Sequence, residues 1–219
     1  MGTPEADRQP SPGGESGGGR PIVAFDFDGT LTTHDSFTAF LAWKAEPLPY
    51  LAGLAGLLPH IAAYGVTRDR GRLKAAAVAA FLGGEPIAEL ETEAEAFAME
   101  KAQAMFRPDA VHAWRNWREQ GALMVIVTAS PETVVRPFAR ALGADLLIGT
   151  RLHLDQQNRV TGRFEGPNCR GPEKVVRLRQ AFGDDVTLAA AYGDTAGDRE
   201  MLQLAKVKGY RLFKGKPLT

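Results

Sequence analysis

The chain has 219 residues, 44% of them hydrophobic and 24% charged, a balance that suits one globular unit with room for an insertion. Lysine plus arginine equal aspartate plus glutamate at 26 each, so no global positive field argues for a nucleic-acid partner. The single cysteine, Cys169, excludes an intrachain disulfide framework and a cysteine-based zinc site, and fits a reducing, cytoplasmic setting.

The first 19 residues, MGTPEADRQPSPGGESGGG, have no apolar run of the kind a signal peptide needs, and predict a disordered leader. Residues 21–27, PIVAFDF, predict a short buried strand. Residues 37–106 are alanine- and leucine-rich with no clear strand, so they predict a helical insertion within a core of 20–36 and 107–219. Inside it, PLPYLAGLAGLLPHIAAYGV (47–66) carries no Asp, Glu, Lys or Arg. Its length approaches the roughly 20 residues of a membrane span, but Pro47, Pro49 and Pro59 interrupt it. A packed helical hairpin is the leading reading, a peripheral lipid-facing surface the second and a transmembrane helix the third.

PDAVHAWRNWREQG (108–121) predicts a helix with proline at its start and glycine at its end, with Trp114 and Trp117 as packing residues. ALMVIVTAS (122–130) is a second strand. SPETVVRPFARALG (130–143) predicts a helix with Ser130 as N-cap, Pro131 at its first position, Gly143 as C-cap and a kink at Pro137. DLLIGT (145–150) is a third strand, and RLHLDQQNRVTGRFEG (151–166) a β-hairpin around a polar turn. GPEKVVRLRQAFG (171–183) predicts another helix, and VTLAAAYGD (186–194) the fourth strand of the parallel set. Strands alternating with helices predict an α/β fold, a Rossmann-like doubly wound parallel sheet with an inserted helical cap and a hairpin.

In such a sheet, ligands sit at the carboxyl ends of the strands. Asp26 and Asp28 follow the first strand, Thr128 and Ser130 the second, and Asp194 the last, with Asp198 one helical turn on and Lys174 early in the preceding helix. Any one of these is weak, since Asp after a strand is often a cap. Together they bring carboxylates, a hydroxyl and an ammonium to one edge. That set suits Mg²⁺ and a phosphate. A carboxylate can then attack phosphorus to give an aspartyl-phosphate, while backbone N–H groups at Asp28–Gly29 and Ala129, with Thr128 and Lys174, suit the phosphoryl oxygens.

DFDGTLT, VIVTAS, GPEK and YGDTAGD, in this order, resemble the four motifs of the haloacid dehalogenase superfamily. The resemblance implies Asp26 as nucleophile and Asp28 as general acid/base. It implies Gly29, Thr128, Ala129 and Lys174 at the phosphate. Mg²⁺ falls to Asp26, Asp194, Asp198 and Asp28, the last through its backbone C=O, and Asp198 holds either the metal or Lys174. An acid at Asp28 marks phosphatases and is lacking in the dehalogenating members. An insertion after the first strand is where phosphoserine-phosphatase-like members place a helical cap. RDRGRLK, TASPE, GTRL, TGRFEGPNCRGPEK and YGDTAGDREML look closest to the bacterial subgroup of that branch that resembles phosphatidylglycerophosphatase C. The implied partner is a small phosphorylated substrate or a phospholipid head group.

The departures from phosphoserine phosphatase are specific. Asp35 stands where that enzyme has a glutamate gripping the substrate amine, and Thr128–Ala129–Ser130 stands where it has serine and two glycines. Ser130 reads as a cap ahead of a substrate ligand. Arg68, Arg70 and Arg72 are equal candidates for a substrate carboxylate, His34 reads as polar lining, Arg170 as a solvated charge ahead of an anion contact, and Cys169 as a small buried hydrophobe. The alternatives to a glycerophosphate-type phosphatase are a phosphoserine or other small-metabolite phosphatase, a phosphotransferase, and a non-catalytic binding module.

Overall fold

A computed structural model describes residues 19–45, 47–67 and 70–217. Residues 1–18 of the predicted leader and Arg68 lie outside the described residues.

Strand β1 (Ile22–Phe25) lies at the centre of the sheet. It pairs in parallel with β2 (Leu123–Pro131) on one side and with β5 (Leu188–Gly193) on the other. Beyond β2 lie β3 (Leu146–Leu154), parallel, and β4 (Val160–Glu165), antiparallel, giving the order β4-β3-β2-β1-β5-β6 with β6 (Ala205–Tyr210) as the far edge. The predicted hairpin is therefore β3 continuing past its parallel partner and folding back through β4. The chain leaves β1 for β2 and β3, then returns across β1 to β5. The switch point of the topology thus falls between β1 and β5, where such sheets hold ligands.

The strand pattern explains the two-sided core. Val23, Phe25, Met124, Ile126, Ala190 and Tyr192 face one layer, while Ala24, Val125, Val127 and Ala191 face the other. The first layer is covered by α5 (Pro108–Glu119) and α6 (Glu132–Leu142), the second by α7 (Pro172–Phe182) and α8 (Arg199–Gln203). Two local expectations are corrected. Pro131 sits at the N-cap and Glu132 opens α6, so Pro131 does not occupy the first helical position. α6 also runs unbroken through Pro137, which packs in its buried face. Strand β6 had no counterpart in the sequence reading. Its Lys206 and Lys208 are exposed, the pattern of a protected edge and not of a buried run.

Between β1 and β2 lie α1 (Ser36–Lys44), α2 (Pro47–Thr67), α3 (Arg70–Leu82) and α4 (Ile87–Met105). α1 and α4 join the sheet's own core. Phe40 on α1 meets Phe97 on α4 at 5.5 Å between ring centroids, Phe97 meets Phe138 on α6 at 5.7 Å, and Phe138 meets Phe27 at 5.5 Å and Phe106 at 5.8 Å. The hairpin expected within 47–66 is instead one helix, α2, that runs unbroken through Pro59 and packs on α3. Gly53 makes that approach possible, because a Cβ there would collide with the Phe81 ring. The outer face of α2 leaves Leu51 and Leu58 about 60% exposed. Among the described residues, no helix is long and apolar enough to cross a membrane. The β3–β4 hairpin brackets the far end of the insertion: Gly84 N–H donates to Val160 C=O at 2.7 Å, Val160 N–H to Glu85 C=O at 2.9 Å and Ile87 N–H to Asn158 C=O at 2.9 Å.

Candidate active site

Asp26 follows the last residue of β1 and stays extended, at φ −66° and ψ 158°, with its N–H donating to Tyr192 C=O at 2.9 Å. The chain then turns sharply through Gly29, whose φ of +83° belongs to the left-handed region. A Cβ on Gly29 would collide with the Asp194 carboxylate, which follows β5. This cradle lets the two strand ends approach. Thr30 Oγ1 lies 3.4 Å from both Asp26 Oδ2 and Asp194 Oδ1.

Lys174, from the first turn of α7, is almost fully buried at 1% exposure. Its three ammonium protons have three acceptors: Asp26 Oδ1 at 2.6 Å, Val127 C=O at 2.6 Å and Asp198 Oδ1 at 2.7 Å. Burial alone would lower its pKa, but the two carboxylates outweigh that and hold it above the usual lysine range. Asp198 is saturated. Besides Lys174 it accepts from Thr195 N–H at 2.8 Å, Thr195 O–H at 2.9 Å and Asp194 N–H at 3.2 Å. Burial pushes against ionisation of Asp198, yet Lys174 and these donors keep it below the usual carboxylate range. Of the two roles expected for Asp198, orientation of Lys174 is the one this geometry favours.

Among the described residues, one group of acidic side chains is close enough to share an ion. Asp26, Asp194 and Asp198 each place a carboxylate oxygen within 4.8 Å of the others. Three hard oxygen donors with cationic balance from one lysine suit a divalent cation such as Mg²⁺. Burial, helped by Asp198 and Asp28 and opposed by Lys174, pushes Asp26 up to about 7. Burial and Asp198 likewise raise Asp194.

The Asp28 carboxylate is not part of this group. It accepts from Ser36 N–H at 2.6 Å and from Ser130 O–H at 2.5 Å. Burial and the nearby Asp35 raise its pKa, against Lys74 and the two hydrogen bonds. The reading of Ser130 as a helix cap is therefore overturned. Ser130 is the penultimate residue of β2, caps no helix, and is aimed at Asp28. Thr128 is fully buried and its Oγ1 accepts from Ser130 N–H at 3.0 Å, which leaves the hydroxyl its proton to donate.

Asp26, Asp28, Gly29, Ala129, Lys174, Asp194 and Asp198 line a cavity of 280 Å³, whereas the fully buried Thr128 and Ser130 lie behind its wall and are not among its lining residues. Arg170 also lines it, half-buried against Gly197 with Nη1 3.4 Å from Thr195 Oγ1, so it is not the solvated charge expected. His34 lies at the exposed rim as polar lining. Asp35, also at the rim, caps α1 by accepting from Thr38 N–H at 2.8 Å. The side chain of Arg70 lies outside the described residues, and Arg72 is exposed and absent from the cavity lining. Trp114 and Trp117 are packing residues whose indole N–H groups reach Leu142 C=O at 3.0 Å and Tyr192 Oη at 2.8 Å.

One cavity-lining side chain escaped the sequence reading. Lys74, on α3, lines the cavity and donates to Ser130 Oγ at 3.1 Å and Ala129 C=O at 3.3 Å. Its only trace in the sequence is its place in RDRGRLK, which says nothing about a partner on β2.

This geometry has relatives. Protein CicA of Caulobacter vibrioides is 58% identical over 204 residues, covering 93% of this chain and 91% of that protein. A phosphoserine phosphatase of Halobacterium salinarum is 30% identical over 84% of this chain and 82% of its own length. The structure of a substrate-bound phosphoserine phosphatase superposes with a TM-score of 0.60 at 20% identity, covering 88% of this chain and 86% of that one, which establishes the shared fold. The sequence pattern of the haloacid dehalogenase-like hydrolases matches residues 23–203. With β2 to β5, the turn at Gly29 and the Asp–Lys cluster falling inside that span, the chain belongs to the haloacid dehalogenase-like hydrolase family.

Proposed function

We propose that the protein is a Mg²⁺-dependent phosphomonoester hydrolase that works through an aspartyl-phosphate. The observation that carries this reading is the division of labour between two aspartates two residues apart. Asp26 is held by Lys174 in the metal-competent cluster, while Asp28 is held out of it by Ser36 and Ser130 with a raised pKa.

In this reading an Asp26 oxygen attacks phosphorus as the bond to the substrate's ester oxygen breaks. Asp28, protonated, gives its proton to the departing alkoxide. The resulting Asp28 carboxylate then takes a proton from water, whose oxygen attacks phosphorus and breaks the aspartyl–phosphate bond. Inorganic phosphate leaves and Asp28 is again protonated. Lys174 keeps Asp26 oriented and balances charge on the phosphoryl oxygens, with Thr128 O–H and backbone N–H groups near Gly29 and Ala129 as further donors. Asp26, Asp194 and the Asp28 main chain would hold Mg²⁺, with Asp198 supporting the cluster through Lys174, and a bound ion would neutralise carboxylate and phosphate charge.

The helices of 37–106 act as the cap over this site, and the reaction is cytoplasmic, in keeping with a lone reduced cysteine. We rank a glycerophosphate-type ester, including phosphatidylglycerophosphate, ahead of phosphoserine. The charge-free 47–66 stretch of the cap supports that order. Turnover of phosphatidylglycerophosphate vesicles, phosphoserine and small sugar phosphates with Mg²⁺ tests the ranking. A marked preference for phosphoserine reverses it, and inertness to all of them removes the hydrolase reading.

A further inference from the structure

A second cavity, of 410 Å³, lies between α1, α2 and α3. Its wall is apolar, built from Phe37, Leu41, Leu54, Leu57, Leu73 and Phe81 among others. It shares two residues with the cavity that holds the carboxylates: Lys74 and Asp35. We propose that this second cavity is the binding site for a hydrocarbon arm on the alcohol half of the substrate, entered past Lys74. The proposal rests on the phosphomonoesterase reading and deepens it by naming the substrate's chemistry.

The position of the junction carries the argument. Lys74 Nζ lies 3.1 Å from Ser130 Oγ, and Ser130 Oγ lies 2.5 Å from Asp28 Oδ2. Asp28 is the acid that serves the departing oxygen. An alcohol whose oxygen sits at Asp28 therefore has Lys74 as its next neighbour, and the carbon skeleton beyond Lys74 has the apolar cavity ahead of it. Lys74 also lies 5.8 Å from the centroid of the Phe37 ring, so an apolar surface begins at the junction itself.

The lining selects the ligand. A space of this size is within the roughly 300–1,000 Å³ common for small-molecule sites. Hydroxyl, amine or carboxylate groups placed among Phe37, Leu41, Leu54 and Leu73 would lose their water without gaining partners, which is costly. Methylene groups gain what polar groups lose, about fourfold in affinity for each one fully buried. The site therefore discriminates for alkyl or acyl chains and against sugars and amino acids. The hydrocarbon can belong to a soluble ester or to a lipid, and the two share this chemistry.

The test is the hydrolysis, with Mg²⁺, of ethyl, butyl, hexyl and octyl phosphate below their micellar concentrations. The expected result is a kcat/KM that climbs about fourfold per added methylene before levelling off as the cavity fills. Ala77→Phe and Ile61→Trp, which intrude on the cavity from α3 and α2, should each flatten the octyl-to-ethyl ratio, with thermal melting to confirm folding. A flat series in the unaltered protein, or a preference that survives both substitutions, overturns the proposal while leaving the hydrolase reading intact. If every ester is inert, the hydrolase reading fails, and calorimetric binding of octyl against ethyl phosphonate then decides the cavity alone: tighter octyl binding, lost in Ala77→Phe, supports it, and equal binding overturns it. A last comparison sets octanoyl glycerol phosphate as monomer against a diacyl glycerol phosphate in vesicles. Faster turnover of the monomer assigns a soluble source to the arm, and of the vesicles a bilayer source.

Discussion

Lys174 Nζ and Asp26 Oδ1 are 2.6 Å apart, and both side chains are buried at the meeting point of α7 and β1. The same ammonium is 2.7 Å from Asp198. Without it, two carboxylates face each other with no counter-charge. Lys174→Met should therefore lower stability by about 3–5 kcal/mol, the usual result of breaking a buried ion pair from one side. Urea denaturation of the purified variant reads this directly. Retention of full stability would show that the cluster relaxes by taking up protons.

Asp26→Asn should abolish turnover and any covalent phosphoprotein, while the fold persists. Mass spectrometry of acid-quenched protein incubated with an aryl phosphate checks the covalent step. Full residual activity is the outcome that removes Asp26 from the nucleophile's role.

Asp28→Asn keeps the side chain's size and one acceptor oxygen, turns the other position into a donor facing Ser36 or Ser130, and cannot shuttle a proton. Turnover should fall by about 10²–10⁴. The Km for Mg²⁺ should stay near its original value, because the Asp28 side chain is outside the cluster of Asp26, Asp194 and Asp198. A parallel loss of metal affinity would return the Asp28 carboxylate to the metal.

Chelation with EDTA should remove activity, and added Mg²⁺ should restore it. Gly29→Ala should weaken the metal dependence by about 10–100-fold in apparent affinity, the range for disturbing a ligand's support. Its new Cβ would strike Asp194, at a φ that favours glycine. Activity indifferent to EDTA would falsify the metal role.

Burial pushes the Cys169 thiol up to about 11. Its thiolate is then about one part in a thousand at pH 8. The native protein should not react with a thiol-specific dye over minutes, and denaturant should release one equivalent. Fast labelling of the folded protein would place Cys169 at the surface instead.

The strands that carry chemistry were legible because they are apolar runs closed by polar residues. β1 and β5 each end one residue before a candidate group and β2 ends three residues past another, so Asp26, Asp194 and Thr128 could be placed at one edge before any coordinates. Lys174 was legible for the same reason, as the proline two positions before it marks the start of α7. β6 was not, because a solvated edge with Lys206 and Lys208 offers no apolar run. Ser130 was misread because Ser-Pro-Glu is also the grammar of a helix start. Only the end of β2 tells which way the hydroxyl turns. Lys74 was invisible for a different reason. Its partners lie on β2, more than fifty residues on, and local spacing holds no record of how α3 docks there.

The ring contacts from Phe40 through Phe97 to Phe138 and Phe27 join the inserted helices to the sheet. Excising residues 36–105 would thus take the Phe97 ring away from Phe138 and open that face of the sheet's core to water.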